Sequence, residues 1–231
     1  FTPVVPPVLV REEAMFATGF FPTDRQSVYS LEDDDLFLVG TSEVPLAALH
    51  ADEILVADEL PLRYAGLSSC YRREAGAAGR DTRGIFRLHQ FEKVEMFSFC
   101  HPDKSWDEHL HLLALEESIA QKLELTYRVV DIAVGDLDAS DARKYDIETW
   151  LPSQQKYREM TSCSNCTDYQ ARRLDARFRE EKGSPQTLHT LNGTAVTSSR
   201  TVISVLEQHQ QKDGTVAVPQ ALLHYGAPAV I

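Results

Sequence analysis

The stretch CYRREAGAAGRDTRGIFRLHQFEKVEMF, from Cys70 to Phe97, constrains this chain more than any other. It reads as two strands joined by a loop of Gly, Ala, Asp and Arg, residue types that turn readily. Alternation along a strand sends successive side chains to opposite faces, so Arg72 and Glu74 are expected to project together while Arg73 points away. On the returning strand the same rule groups Arg87, His89, Phe91, Lys93 and Glu95. A face with two cations, an aromatic plate and a carboxylate is a poor hydrophobic core. It suits a floor for something flat, anionic and carrying an amine. The pattern also fits a solvated hairpin face with cross-strand ion pairs, each worth little.

Such a floor needs a core beneath it, and 231 residues at 43% apolar content can supply one large domain or two small ones. The net charge of −12 argues against a surface that grips nucleic acid without specificity. A nucleic-acid partner would have to meet a local basic site or a segment outside this stretch. No apolar run has the length to cross a bilayer, and no signal-peptide pattern opens the chain, so no membrane partner is expected. The chain starts at Phe1, not Met, so a natural N-terminus is expected upstream. Cys70, Cys100, Cys163 and Cys166 are too scattered for a disulfide-stapled secreted domain, and a reducing cytoplasm is the expected location.

Along the chain, the proline-bearing opening FTPVVPPVLV reads as extended but not mid-sheet. Arg11 to Gly19 is helical in composition, and Leu36 to Val39 is a short buried strand. Thr41 and Glu43 flank Ser42 just before Pro45, as in the first turn of a helix running to about Leu55, where helix capping is their simplest use. Residues 101–125 predict a long amphipathic helix with Trp106, Leu110, Leu113, Ile119 and Leu123 on its apolar face. His109 and His111 on that helix face different ways and make a poor metal pair. Strands are expected at 126–134 and around Tyr145–Leu151. Glu159 and Ser162 stand three apart at a strand end before a small-polar turn, a pair of hard-oxygen donors for magnesium shared with phosphates. Cys163 and Cys166 form a CxxC with no second CxxC, which favours two buried thiols over half a zinc site, and no zinc is expected. Asn192-Gly193 is a turn signal. Arg200 opens an apolar helix where the helix dipole disfavours a cation unless an anion sits there. The tail from Asp213 reads as a hairpin turn and a short strand. Neither a GxxxxGK[ST] loop nor a GxSxG elbow occurs.

These residues together resemble the catalytic domain of bacterial-type seryl-tRNA synthetases, class II aminoacyl-tRNA synthetases, over nearly the whole length. YRREAG at 71–76 looks like the family's motif 2, and RGIFRLHQFEKVE at 83–95 is similar to the strand that follows it. GTSEVPL at 40–46 resembles the serine-binding TxE segment, with Ser42 where Ala is commoner. NGT at 192–194 through RTV at 200–202 resembles motif 3, and the opening resembles the end of motif 1.

The resemblance implies an α+β fold, an antiparallel sheet of about six strands flanked by helices, with ATP bent across it. Arg72 would hold the α-phosphate, Arg87 would lie near the distal phosphates, and Glu74 would contact the nucleotide near the adenine. Phe91 and Arg200 would sandwich the adenine. Arg73, Leu88, Met160 and Thr161 would complete the ATP site, and Glu159 and Ser162 would carry Mg2+. Arg72, Glu159 and Arg200 would be the catalytic set. Thr41, Ser42, Glu43, Arg72, Glu95, Asn192 and Thr194 would surround L-serine, with Glu95 and Thr194 reading its hydroxyl. The implied partners are ATP, serine tRNA and a second copy in a homodimer. The family's N-terminal tRNA-binding helical hairpin and motif 1 helix do not precede Phe1, so residues 1–231 are expected to be the catalytic domain alone. Two other readings are a paralogue that activates an amino acid for a carrier protein or a biosynthetic pathway, and an inactive binding module. Arg72, Glu95, Glu159 and Arg200 together argue against the last.

Overall fold

The two strands expected around the arginine-rich loop run from Leu62 to Tyr71 and from Gln90 to Cys100. The computed structural model describes residues 1–75 and 84–231, so the loop at 76–83, with Gly76 and Arg83 of the motif 2 region, lies outside the described residues. The two strands pair antiparallel, with Phe91 opposite Cys70 and Glu95 opposite Gly66. They belong to a sheet of seven strands: β1 (Thr2–Val4), β2 (Leu62–Tyr71), β3 (Gln90–Cys100), β4 (Tyr127–Asp131), β5 (Arg143–Leu151), β6 (Lys156–Thr167) and β7 (His189–Thr197). Their spatial order is β1-β2-β3-β7-β6-β5-β4. Six strands are mutually antiparallel, and β1 joins the edge in parallel with β2. An edge suits β1, because its proline cannot donate to a ladder.

The helices are α1 (Glu12–Ala17), α2 (Glu43–Ala47), α3 (Ser105–Lys122), α4 (Tyr169–Arg173), α5 (Ser198–Gln208) and α6 (Gln220–Leu223). One sheet face packs under α3, where Met96, Ile147, Cys163 and Leu191 meet Leu112 and Ala120. On the other face Phe97 and Phe99 of β3 pack with Leu46 of α2, Phe178 and Leu188. A third cluster joins α1 to α2 through Met15, Phe37 and Val44. The C-terminal half of β3 is thus buried on both sides. Its N-terminal half turns Phe91, Lys93 and Glu95 towards the α2 side, where among the described residues no apolar cluster includes them.

Several sequence expectations change. Arg72 and Glu74 lie beyond the end of β2, and Arg87 and His89 before the start of β3, so strand alternation governs only Phe91 to Glu95. Arg87 still reaches the face, held by an ion pair with Glu74, whereas His89 leaves it to meet the Tyr29 hydroxyl at 2.6 Å. The face of α3 that packs down carries Glu108, His109, Leu112, Leu113 and Glu116, while Trp106 and Leu110 are exposed. Hydrogen bonds decide this. Arg63 and Ser98 meet Glu108, Thr161 donates to Glu116, and the Cys163 carbonyl lies 3.1 Å from His109 Nε2. Polar side chains so satisfied pack as well as apolar ones.

Helix α2 stops at Ala47, and Leu55 lies in a strand, Ile54–Val56, paired with Arg177–Arg179. Asn192-Gly193 is no turn but the middle of β7, between β3 and β6. There the glycine permits a close approach: a Cβ on it would lie 2.8 Å from Glu116 Oε1. The residues after Ser162 do not turn either, because β6 keeps partners on both sides through Asn165. In the tail, the expected turn closes where Gln210 bridges Val216, Ala217 then bridges Val230, and Gln220–Leu223 adds a short helix.

Candidate active site

Two irregularities in the sheet aim the polar groups. In β6, Glu159 pairs with Glu148 and Thr161 with Ile147, so Met160 is an extra residue. A bulge of this kind reverses the alternation, which turns Glu159 and Ser162 to the same face although they are three apart. In β7, Thr194 faces Glu95 and Val196 faces Val94, so Ala195 is extra and Thr194 and Thr197 share the cavity side. The groups meet in a cavity of about 570 Å³ on the sheet face away from α3, with a smaller recess of about 70 Å³ beside it.

At one end of the cavity Glu43 opens α2. Its Oε1 accepts hydrogen bonds from Gln170 Nε2 at 2.7 Å and Asn192 Nδ2 at 3.0 Å. Burial, then the charges of Glu95 and Asp141, push the Glu43 carboxyl up to about 8. Thr41 Oγ1 accepts from the Glu43 backbone N–H at 3.2 Å, so Thr41 caps the turn and still borders the cavity. Ser42 does not border it. Its hydroxyl donates to the Gly66 carbonyl at 3.3 Å, on the side where a Cβ at Gly66 would meet Leu46 at 2.9 Å. Deeper in, Glu95 Oε2 receives the Thr194 hydroxyl at 3.1 Å and lies 2.6 Å from Lys93 Nζ.

At the other end the guanidinium of Arg72 lies 5.4 Å from the Phe91 ring centroid, and its Nε donates to the Gly40 carbonyl at 3.3 Å. Arg200 Nη1 donates to the Glu159 carbonyl at 3.0 Å and lies 3.3 Å from Glu159 Oε2. Its guanidinium is 5.0 Å from the ring of Phe86. Phe91 and Arg200 both line the smaller recess, but the cation against Phe91 is Arg72 and the aromatic against Arg200 is Phe86. Burial raises the Glu159 carboxyl, but Arg200, Lys144 and Arg72 outweigh it and hold the group below the ordinary range. Leu88, Met160 and Thr161 border the same recess. The Thr161 hydroxyl donates to Glu116 at 2.7 Å on the far side of the sheet, so its main chain faces the recess. Arg73 is exposed and borders neither cavity; its backbone N–H donates to Ser27.

The magnesium expectation meets a suitable donor set, an ionised carboxylate (Glu159) and a hydroxyl (Ser162) on one face. Among the described residues no group of three or more His, Cys, Asp or Glu gathers as metal ligands. Two protein donors would leave phosphate oxygens and water to complete an octahedron. The two CxxC thiols do not converge. Cys163 packs in the α3 core, and Cys166 receives a hydrogen bond from Asn192 beside Asp141, with burial raising both thiols. Gln170 and Phe86 are site residues that sequence reasoning missed. Phe86 stood in plain view beside Arg87. Gln170 lies on a five-residue helix with no motif to mark it.

Residues 27–209 match the family described as tRNA synthetase class II core domain (G, H, P, S and T). The chain belongs to this family. Among the relatives of this class II core, the serine–tRNA ligase of Thermobifida fusca is 60% identical over 96% of the chain and 52% of its own length. That of Rhodococcus jostii is 56% identical over 97% of the chain and 54% of its own length. The crystal structure of seryl-tRNA synthetase from Pyrococcus horikoshii complexed with ATP superposes with a TM-score of 0.97 at 50% identity, covering all of this chain and 52% of that one. The chain therefore spans about half the length of the curated relatives it matches. Among the described residues no helix is long and apolar enough to cross a membrane.

Proposed function

We propose that this class II core activates L-serine with ATP, and that the protein carrying it transfers the seryl group to serine tRNA. In the first step a serine carboxylate oxygen bonds to the α-phosphorus while the bond from that phosphorus to the pyrophosphate oxygen breaks. The carboxylate is already a nucleophile, so the site needs no general base. It has to relieve repulsion between anions and hold the charge that builds at phosphorus. Arg72 and Arg200 are the cations for this. Arg87 serves the distal phosphates, Phe91 and Phe86 give flat surfaces to a base, and Glu74 borders the same recess. Magnesium, held by Glu159 and Ser162, would add charge neutralisation at the phosphates.

At the amino-acid end, Glu43 with Thr41 takes the ammonium group, Asn192 orients Glu43, and Glu95 with Thr194 takes the hydroxyl. An alanine side chain there leaves Glu95 without the donor it is placed to accept, which is the stronger form of discrimination. Homodimerisation and a cytoplasmic location complete the reading, as the family resemblance implies.

The observation that carries the proposal is the bond between Thr194 and Glu95, beside the Arg72–Phe91 pair, in one cavity. Pyrophosphate exchange into ATP, run with each amino acid and with or without serine tRNA, tests it. Exchange with serine alone is expected. Exchange with another amino acid would replace serine in the proposal, and no exchange would refute it.

A further inference from the structure

The hydroxyl end of the cavity holds a cation that the roles above leave unused. Lys93 lies on the cavity face of β3, two residues before Glu95, with 8% of its side chain exposed against 2% for Glu95. Its Nζ is 2.6 Å from Glu95 Oε2, the oxygen that also receives the Thr194 hydroxyl. Among the described residues Glu95 Oε1 takes no hydrogen bond. A buried ammonium is costly unless paired, and this one stands within reach of three carboxyls. Besides its contact with Glu95, it lowers the carboxyls of Glu43 at the cavity end and Glu116 behind the sheet, against the burial that raises them.

An amino acid brings one ammonium group into a cavity that Glu43 and Glu95 both line. If both attracted it equally, serine could enter in either orientation and a diamino acid would satisfy both. We infer that Lys93 is a positioning residue that neutralises Glu95, so that the hydroxyl pocket takes an uncharged hydrogen-bond donor and rejects a second ammonium. This rests on the serine reading above. With Oε2 held by Lys93 and Thr194, Oε1 accepts the substrate hydroxyl. The ammonium is left to Glu43, which among the described residues has no cation in direct contact.

The test is amino-acid-dependent pyrophosphate exchange with the full chain, comparing wild type, Lys93→Met and Lys93→Arg on serine, alanine and β-aminoalanine, in which an amine replaces the serine hydroxyl. Wild type is expected to reject β-aminoalanine. Lys93→Met should lose preference for serine over β-aminoalanine by roughly tenfold or more, with KM for serine rising more than kcat falls. Lys93→Arg should keep the preference. Loss of packing alone would depress all amino acids together. A folded Lys93→Met whose preference stays within about twofold of wild type overturns the inference.

If Lys93→Met does not fold, Lys93→Met with Glu95→Gln removes both buried charges. It should fold and still reject β-aminoalanine; failure on either count overturns the inference. A wild-type chain that exchanges with no serine refutes the functional reading itself, whereas serine exchange with an unchanged preference refutes only the role of Lys93.

Discussion

Replacing Glu43 by Gln changes the charge of the cavity without changing its shape. In the folded chain the Glu43 carboxyl is raised from 4.5 to about 8, first by burial and then by Glu95 and Asp141. The unfolded chain releases this proton near the ordinary value. Between the two values the native state therefore holds one more proton than the unfolded state, and stability falls as pH rises. Each pH unit in that window is worth about 1.4 kcal/mol, so near pH ~7.5 the group has cost the ligand-free chain up to about 4 kcal/mol relative to mild acid. A Gln carbonyl at this position still accepts from Gln170 and Asn192, so the bonds remain while the titration is removed. Glu43→Gln should match wild type near pH ~4.5 and exceed it by up to about 4 kcal/mol near pH ~7.5, a rise in Tm of roughly 8–16 °C. Urea unfolding of both proteins across this range is the assay. The difference between them isolates Glu43, because every other group titrates in both. A difference that is flat with pH, or that favours wild type above neutrality, would refute the electrostatic account. The same variant should lose serine-dependent exchange, since stability is gained by giving up the carboxylate that the substrate ammonium needs.

Three further substitutions probe the surroundings. Gly193→Ala places a methyl 2.8 Å from Glu116 Oε1 and 3.1 Å from the Cys163 Cβ. It should cost about 1–3 kcal/mol in a urea melt, and a neutral result would mean that Glu116 moves freely. Arg63→Met removes two hydrogen bonds, of 2.7 and 2.6 Å, from the buried carboxylate of Glu108, leaving Ser98 as its donor. It should destabilise the chain by about 3 kcal/mol, and the loss should shrink when Glu108→Gln is added. Ser42→Ala removes a bond to the Gly66 carbonyl but nothing from the cavity wall. It should cost about 1 kcal/mol or less of stability and leave KM for serine within about twofold of wild type.

How much of this site was legible in the sequence depends on how each residue is placed. Phe91, Lys93 and Glu95 follow a period of two within one strand, and a reader who trusts alternation finds them together. Glu74 and Arg87 are joined across the hairpin by opposite charge, which the residue types suggest even though both lie outside the strands. Polar residues on α3 defeat the reading, because an apolar-only period cannot know that Ser98, Arg63 and Thr161 wait on the sheet to satisfy them. The Asn192-Gly193 pair defeats it for the opposite reason: the local signal for a turn is real, but β3 and β6 on either side hold the segment straight.

The bulges show most clearly where such reading ends. On a regular strand Glu159 and Ser162 point to opposite faces, as do Thr194 and Thr197, and neither pair serves one ligand. One extra residue in each strand, Met160 and Ala195, brings each pair to the same side. Nothing in the composition of either strand marks that residue, since Met and Ala are ordinary in any strand. What fixes it is the register imposed by the neighbours: Glu148 and Ile147 advance by one where β6 advances by two, and Glu95 and Val94 do the same against β7. The aim of the catalytic groups is therefore a property of strand pairing. Met160→Leu, which keeps the extra residue, should leave pyrophosphate exchange near wild type. A loss of exchange in Met160→Leu would show that the Met160 side chain, rather than the bulge, is what the site requires.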